Sequence, residues 1–316
     1  MTGGHSNLTF VVGDEEGGRW VLRRPPLGHV LATAHDMARE HRIISALAGT
    51  QVPVPAVVGL CEDDSVNGAP FYVMDYVQGT VVRDRATAES LADTARTNAS
   101  RSLVDVLAAL HRVDPDRVGV GDLGRRDGYV ERTLRRWYGQ AEATRADGAD
   151  IDLHHVDAVH DVLVRHLPDQ VGVSIVHGDY RLDNCLLHDD GSVAAVLDWE
   201  LCTLGDPLAD VGLLLVYWTD PGTQAVLPQA SPTALAGFMS RERLLERYAE
   251  ASGRDISGID YYIALGYWKL TCIIAGVYAR YAAGAMGTTD EQQVRGFAEM
   301  FDTLGAMAAE AAERIR

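Results

Sequence analysis

The stretch "SIVHGDYRLDNCLLHDDGSVAAVLDWE", residues 174–200, decides the fold of this chain. Its apolar runs "SIV", "CLLH" and "VAAVLDW" predict three short strands, because turn-forming and polar residues bound each run. The turn "DDGS" joins the last two runs as a hairpin, so turn chemistry alone explains its acids Asp189 and Asp190. The remaining polar residues of the stretch need another explanation.

Three of those residues, Asp179, Asn184 and Asp198, lie in a loop after a predicted strand or at a strand end. If the strands run side by side, their loop ends meet and the three side chains converge. Two carboxylates and an amide make an oxygen site that suits Mg²⁺, whereas structural zinc would require Cys and His at its own spacing. His177, a lone His after an apolar strand, favours a buried, hydrogen-bonded structural role over a ligand role.

The spacing H-x-D-x-x-x-x-N, followed by a strand and an Asp, is what a phosphotransferase requires. "HGDYRLDN" and "VLDWE" resemble the catalytic loop and metal-binding motif of the aminoglycoside phosphotransferase family, a branch of the protein-kinase-like fold. "VLDWELCTLGDPLADV", "LRRPPLGHVLATAHDMAREHRI", "GAPFYVMDYVQG" and "GVYAR" more closely resemble the kinase-like domains fused to acyl-CoA dehydrogenases and their stand-alone bacterial relatives. The resemblance covers nearly the whole chain.

The resemblance implies an α+β, bilobal protein-kinase-like fold with ATP and Mg²⁺ as cofactors. A small β-rich, nucleotide-binding N-lobe is expected over residues 1–78, and a larger, mostly helical C-lobe over residues 79–316. The residue pattern by itself predicts strands over 8–12, 19–23, 56–63 and 70–77, around one helix capped by Thr33. It further predicts helices over 86–111, 129–143, 153–167, 207–218, 233–252, 259–285 and 289–315.

Roles in the C-lobe follow from the resemblance, residue by residue. Asp179 takes the position of the general base, or of the residue that orients the acceptor hydroxyl. Asn184 and Asp198 take the positions of the metal ligands.

Supporting roles are implied for the neighbours of these residues. Asp210 matches an Asp that braces the catalytic loop by accepting backbone N–H bonds, and His177 supports the same loop. Asp183 and Glu200 stay open, Glu200 as a group that supports the metal site and Asp183 as a brace of the loop.

ATP contacts are implied in the N-lobe. "VMDYVQG" resembles the connector between lobes, where the C=O of Asp75 and the N–H of Val77 would bond the adenine edge. "GGHSN" resembles the loop that covers the phosphates, with Ser6 and Asn7 as donors. The family normally has a further segment and strand ahead of this loop. Because the sequence starts at Met1, we expect either a start farther upstream or an N-lobe that lacks its first strand.

Arg23 stands where kinases carry a phosphate-binding Lys. Its expected partner is Glu40, which shares a helix face with Ile43, Ile44 and Leu47. Without the resemblance, a partly solvated Glu40 explains the pattern equally well.

Composition limits the function classes. The chain has 316 residues, of which 47% are apolar, and a net charge of −17, which argues against a nucleic-acid surface. The four cysteines form no C-x-x-C pair, the N-terminus has no signal-peptide pattern, and Lys269 and Arg280 interrupt the most apolar late segment. We therefore expect a cytoplasmic protein without a membrane partner. The sequence leaves its oligomeric state open.

The predicted activity is ATP-dependent O-phosphorylation of a small-molecule hydroxyl. Aminoglycosides would suit an acidic cleft, whereas a hydroxyacyl-CoA would suit the arginines of "RRDGYVERTLRRWYGQ", which a solvated helix face also explains. A shortened N-lobe would instead indicate a catalytically weak or inactive kinase-fold binding protein, and a metal-dependent hydrolase is a third possibility. Five aromatic residues could line the acceptor site or form core: Tyr217, Trp218, Tyr267, Trp268 and Tyr278.

Overall fold

A computed structural model describes residues 7–26, 36–146, 151–227, 231–282 and 291–315 of the chain. Its N-terminal part is a four-stranded antiparallel sheet with the strand order β1-β2-β4-β3. The strands are β1 Leu8–Gly13, β2 Arg19–Arg24, β3 Val57–Cys61 and β4 Phe71–Asp75. The two helices of this part are α1 Met37–Leu47 and the short α2 Asp64–Asn67. All four predicted strands of this part are present.

Helix α1 packs its apolar stripe against the sheet. Ile43, Ile44 and Leu47 are buried together with Glu40, which lies on the same face. The cap is Asp36, whose side chain accepts from the N–H of Arg39. The predicted cap, Thr33, lies outside the described residues.

The C-terminal part is mostly helical. Its helices are α3 Arg85–Ser90, α4 Asp93–Arg112, α5 Tyr129–Ala146, α6 His154–Arg165, α7 Pro207–Val216, α8 Arg241–Ser252, α9 Ile259–Ala282 and α10 Glu291–Ala312. The mixed fold, a small strand-rich part before a larger helical one, confirms the predicted fold class. The lobe boundary at residue 78 stays a prediction.

Two predicted helices have the wrong extent. The helix predicted over 86–111 is broken at Leu91 and Ala92, where the guanidinium of Arg96 bonds the carbonyls of Ala88 and Glu89 and so completes the end of α3. The helix predicted over 233–252 begins only at Arg241, because Ser240 provides the N-cap. Caps that local side chains supply override the apolar periodicity in both places.

The deciding stretch contains the predicted hairpin, and its first strand has a partner outside the stretch. Strand β6, Cys185–Leu187, pairs with β7, Val193–Val196, as the turn at Asp189 and Asp190 predicts. Strand β5, Ser174–Val176, pairs with the unpredicted β8, Thr203–Gly205. Two separate strand pairs therefore position the loops of this stretch.

Close backbone contact joins the two parts of the chain. Thr80 and Leu187 exchange backbone hydrogen bonds of 2.8 and 2.9 Å. A Cβ at Gly79 would lie 2.9 Å from the carbonyl oxygen of Leu187, so this approach requires glycine. On the other side of the cleft, Arg39 of α1 donates to the carbonyls of Leu123 and Cys202.

Helix α9 forms the centre of the helical part, packed against α10, α7 and α5. By length and composition it is the one described helix that could cross a membrane, yet 61% of its most apolar window is buried inside the protein. Such burial is typical of the core helix of a globular protein.

Candidate active site

Asp210, in the first turn of α7, binds the backbone of the loop between β5 and β6. Its carboxylate accepts the N–H of His177 at 2.7 Å and the N–H of Gly178 at 2.8 Å. Asp210 is buried and also contacts His111 at 3.3 Å. Burial alone would raise the pKa of Asp210, but the contacts with His111 and the N–H of Gly178 outweigh it and lower that pKa. The resemblance implied such a brace.

His177 is fully buried, and both of its ring nitrogens have partners within the protein. Nε2 bonds the carbonyl oxygen of Leu197 at 2.9 Å, and Nδ1 accepts the N–H of Asp179 at 3.3 Å. The ring also lies 4.7 Å from that of Trp199. The structure thus places His177 as a link between the two loops and not as a ligand.

Asp179 follows Gly178 in the same loop, between the N-terminal sheet and the helical part. Its Oδ2 accepts the amide Nδ2 of Asn184 at 2.9 Å, and the same amide bonds the carbonyl oxygen of Asp179 at 2.8 Å. The Asp179 side chain keeps 26% of its surface exposed. It is therefore oriented by Asn184 yet still reachable by a ligand.

Arg181 is a residue of this loop that the sequence reasoning missed. Its Nε lies 3.3 Å from the Asp179 carboxylate and 3.1 Å from that of Asp183, and its guanidinium stacks on Tyr217 at 4.8 Å. Burial raises the pKa of Asp183, and Arg181 opposes this. An Arg two residues from each of two acids is the signal that would have indicated this ion-pair cluster. Asp183 and Asp179 thus share Arg181, and the bracing role of Asp183 stays a prediction.

Asn184 and Asp198 flank the β6–β7 pair. Asn184 directly precedes β6, and its carbonyl accepts the N–H of Leu197 at 2.8 Å, so Asp198 lies next to it across the pair. Asp198 has φ +65°, the one positive φ among the described non-glycine residues. A positive φ is uncommon in non-glycine residues, although Asp adopts it more readily than most.

These two residues fit a magnesium ion. Both amide hydrogen bonds of Asn184 go to Asp179, so its Oδ1 stays available as a ligand. The described residues contain no cluster of three or more His, Cys, Asp or Glu side chains arranged for a metal. A site with one amide and one carboxylate suits Mg²⁺, which takes its remaining ligands from phosphates and water.

Arg23 joins the sheet to this site. Its Nη2 lies 2.5 Å from Oδ1 of Asp198, and its Nε lies 3.0 Å from Oε2 of Glu40. Glu200 lies 3.9 Å away, so three carboxylates surround one guanidinium. Burial would lower the pKa of Arg23, but Glu40 and Asp198 outweigh it, and Arg23 stays charged. The predicted Arg23–Glu40 ion pair is present, and the surplus negative charge favours a divalent cation beside it.

Glu40 is the buried centre of a small network. Its carboxylate accepts the hydroxyl of Tyr72 at 2.9 Å and the amide of Asn7 at 2.7 Å. Burial raises the pKa of Glu40, while Arg23 and these donors oppose the shift. Asn7, predicted as a phosphate donor, is thus turned towards Glu40 and Glu200. Ser6 lies outside the described residues.

The two residues predicted to contact adenine lie at the end of β4 and just after it. Asp75 is the last residue of the strand, and its N–H donates to Ala56. Two residues farther along, the N–H of Val77 has no hydrogen-bond partner among the described residues. A donor left open at this edge suits the predicted contact.

Most of the aromatic residues that could line the acceptor site or form core are core. Trp218, Tyr267 and Trp268 are buried. Tyr278 is partly buried on α9. Tyr217 stacks on Arg181 of the catalytic loop, beside Asp179.

A sheet with one buried helix, a connector and a helical part with this loop define a kinase-like phosphotransferase fold. The model of the phosphotransferase enzyme family, APH, matches residues 1–261. The chain belongs to this family, whose members transfer phosphate to hydroxyl groups of small molecules.

Curated relatives are similar over most of the chain. Acyl-CoA dehydrogenase family member 11 of Gallus gallus is 34% identical over 99% of this chain and 40% of its own length. Acyl-CoA dehydrogenase family member 10 of Mus musculus is 33% identical over 92% of this chain and 27% of its own length. The chain therefore spans less than half the length of these relatives.

Solved structures show the same fold. A protein of Ralstonia eutropha JMP134, described as a putative aminoglycoside phosphotransferase, has a TM-score of 0.82 and 33% identity, covering 99% of this chain and 91% of its own. The streptomycin–ATP complex of aminoglycoside phosphotransferase APH(2")-IIa has a TM-score of 0.61 at 16% identity and covers 95% of this chain and 92% of its own. The second likeness supports the fold alone.

Proposed function

We propose that this chain phosphorylates a hydroxyl group of a small molecule at the expense of ATP, with Asp179 as the general base. The observation that carries the proposal is the Asp179 carboxylate, held by Asn184 on a loop that Asp210 braces, next to the Arg23–Asp198 pair. Base, metal ligands and phosphate-binding cation thus meet in one cleft, as phosphoryl transfer requires.

In the proposed reaction, Asp179 accepts the proton of the acceptor hydroxyl as the oxygen forms its bond to the γ-phosphorus. The bond from that phosphorus to the bridging oxygen breaks, and ADP leaves with the electron pair. Asn184 keeps one carboxylate oxygen of Asp179 hydrogen-bonded, which fixes the orientation of the other. Positioning of this kind, and not covalent chemistry, supplies most of the acceleration in this reaction class.

Asn184 and Asp198 would hold Mg²⁺, which neutralises charge on the phosphates when bound. Arg23 adds a fixed cation for the phosphates, and Glu40 keeps its guanidinium aimed into the cleft. The C=O of Asp75 and the N–H of Val77 would bond the adenine edge.

Two acceptor classes compete at this site. Arg181 is paired with Asp179 and Asp183, and Lys269 of α9 donates to the carbonyl of Gly178, so neither is a spare cation for an anionic acceptor. Local charge therefore does not decide between an aminoglycoside and a hydroxyacyl-CoA. The similarity to acyl-CoA dehydrogenase family members favours a hydroxyacyl-CoA as the specific acceptor.

A metal-dependent hydrolase and an inactive binding protein receive less support. The hydrolase would need His177 as a ligand, yet both of its ring nitrogens have partners within the protein. An inactive binding protein would not require an oriented and partly exposed carboxylate at the position of Asp179. A cytoplasmic location and the absence of nucleic-acid and membrane partners stay predictions.

The test is an ADP-release screen with Mg²⁺ and ATP over hydroxyacyl-CoAs, aminoglycosides and small alcohols, with the Asp179→Asn protein as the control. We expect release that depends on one acceptor class and disappears in the control. A thermal-shift titration with ATP and Mg²⁺ runs beside it and should show stabilisation that grows with nucleotide concentration. Absence of both ADP release and a thermal shift would contradict the proposal.

A further inference from the structure

The chain contains 28 Lys and Arg residues, and only one of them, Lys269, is a lysine. Every other permanent side-chain cation, whether in surface ion pairs or in the cleft, is Arg. Because the chain uses Arg at every other such position, we asked what its single Lys contacts. The two residues differ in shape: Lys carries a compact charge on a slender stem, and Arg a planar fork.

Lys269 lies at the catalytic loop. It projects from α9, and its Nζ donates to the carbonyl oxygen of Gly178 at 3.0 Å. The ring of Trp137, from α5, lies 5.8 Å from the same ammonium. The one lysine of the chain therefore contacts the residue directly before Asp179.

Gly178 is held from two sides by opposite charges. Its N–H donates to Asp210 at 2.8 Å, and its C=O accepts from Lys269. Its φ of +83° and the carbonyl oxygen of Leu201, 2.8 Å from a Cβ at this position, leave no room for a side chain. Asp210 and Lys269 thus fix both peptide groups of Gly178, and the second of these leads into Asp179.

A small cavity adjoins Lys269. Its volume is about 20 Å³, and its lining includes Tyr129, Thr133 and Leu265. That volume holds about one water molecule.

We propose that Lys269 is a positioning residue for phosphoryl transfer: its ammonium holds the Gly178–Asp179 peptide and thereby aims the Asp179 carboxylate. This inference rests on the proposed role of Asp179 as the base. The ammonium acts through the loop, because it bonds the Gly178 carbonyl and not the substrate.

The groups that face Lys269 act on its pKa in both directions. Burial and Arg136 of α5 lower it, while Asp179 of the loop and Asp210 of α7 raise it, and the net direction is down. The hydroxyl-bearing residues Tyr129 and Tyr262 line the same cavity. The charge of Asp179 therefore supports the charged form of Lys269.

Variants at position 269 test the role. Lys269→Met keeps the length and removes the charge, and we expect kcat to fall about 10- to 100-fold, the effect of one lost charged hydrogen bond, with the KM for ATP within about twofold of wild type. Lys269→Ala should lose as much and regain activity with methylammonium, which should leave Asp179→Asn unaffected. The proposal would be overturned if the kcat of Lys269→Met stayed within twofold of wild type. It would also be overturned if the KM for ATP rose by as large a factor as kcat fell.

A second measurement needs neither turnover nor a variant at position 269. Lysine labelled with ¹³C at Cε gives a single NMR signal, whose pH titration should lie below the ordinary Lys pKa of about 10.4 and shift lower still in Asp179→Asn. An ordinary pKa that is equal in both proteins overturns the proposal. If the wild type instead releases no ADP with any acceptor while the titration behaves as expected, the proposed function fails and the placement of Lys269 stands.

Discussion

Replacement of Asp210 by Asn should damage the protein more than any other single isosteric change in the catalytic loop region. The carboxylate is 1% exposed and accepts from the N–H groups of both His177 and Gly178. An Asn side chain offers one carbonyl oxygen, so it can accept only one of these donors, and its NH₂ would face the other. His111, at 3.3 Å, would lose its anionic partner as well.

The expected cost follows from these contacts. A hydrogen bond to a buried charge contributes roughly 1.5–3 kcal/mol, and leaving a buried donor unsatisfied costs about 1–3 kcal/mol. One bond to the loop is lost outright and the other becomes neutral, so we expect Asp210→Asn to lower the free energy of unfolding by about 3–5 kcal/mol.

Urea denaturation followed by far-UV circular dichroism measures this free energy. The matched control is Asp302→Asn on α10, an exposed site where the same change should alter stability by less than about 0.5 kcal/mol. A loss below about 1 kcal/mol for Asp210→Asn would refute the argument that charged hydrogen bonds hold this loop.

Four further predictions concern the active site and the dependence of stability on pH. Asp179→Asn should lower kcat by about 10²-fold or more with ATP affinity nearly unchanged, and unchanged turnover would contradict its role as the base. Asp198→Ala should abolish Mg²⁺-dependent nucleotide binding in calorimetry, and surviving binding would contradict its role as a metal ligand. Arg23→Met should destabilise by about 3 kcal/mol because Glu40 stays buried without its cation, and adding Glu40→Gln should restore part of the loss in urea melts; strict additivity would argue against coupling. Burial lowers the pKa of His111, so the unfolded chain takes up its proton first and stability should decline as the pH falls through about 6.5, a decline that His111→Gln should reduce.

Local patterns were sufficient for much of the fold and of the site. The N-terminal strands follow from periodicity, and the hairpin at Asp189 and Asp190 follows from turn chemistry. The Arg23–Glu40 pair required the family resemblance as well, because the apolar stripe alone left a partly solvated Glu40 equally open. These features can be predicted because each depends on residues that are close together in the chain, or on a motif with fixed spacing.

Contacts between distant segments were not recoverable in the same way. Strand β8 is only three residues long, and nothing in "TLG" indicates that it pairs with β5. Lys269 lies about 90 residues from the carbonyl it holds, and its charge looked only like an interruption of an apolar helix. Such side chains acquire meaning from the tertiary packing, which no local window contains.

The arginines of α1 attach the N-terminal part of the chain to the helical part. Arg42 is bound to Asp122 and to the carbonyl of Gly119, and Arg39 to two further carbonyls of the helical part. The opposite face of α1 is packed against the sheet. This helix therefore links the N-terminal sheet to the helical part at a second place, away from the backbone hydrogen bonds of Thr80. The Arg42–Asp122 pair is exposed and therefore screened by salt, so this second attachment should weaken as the ionic strength rises.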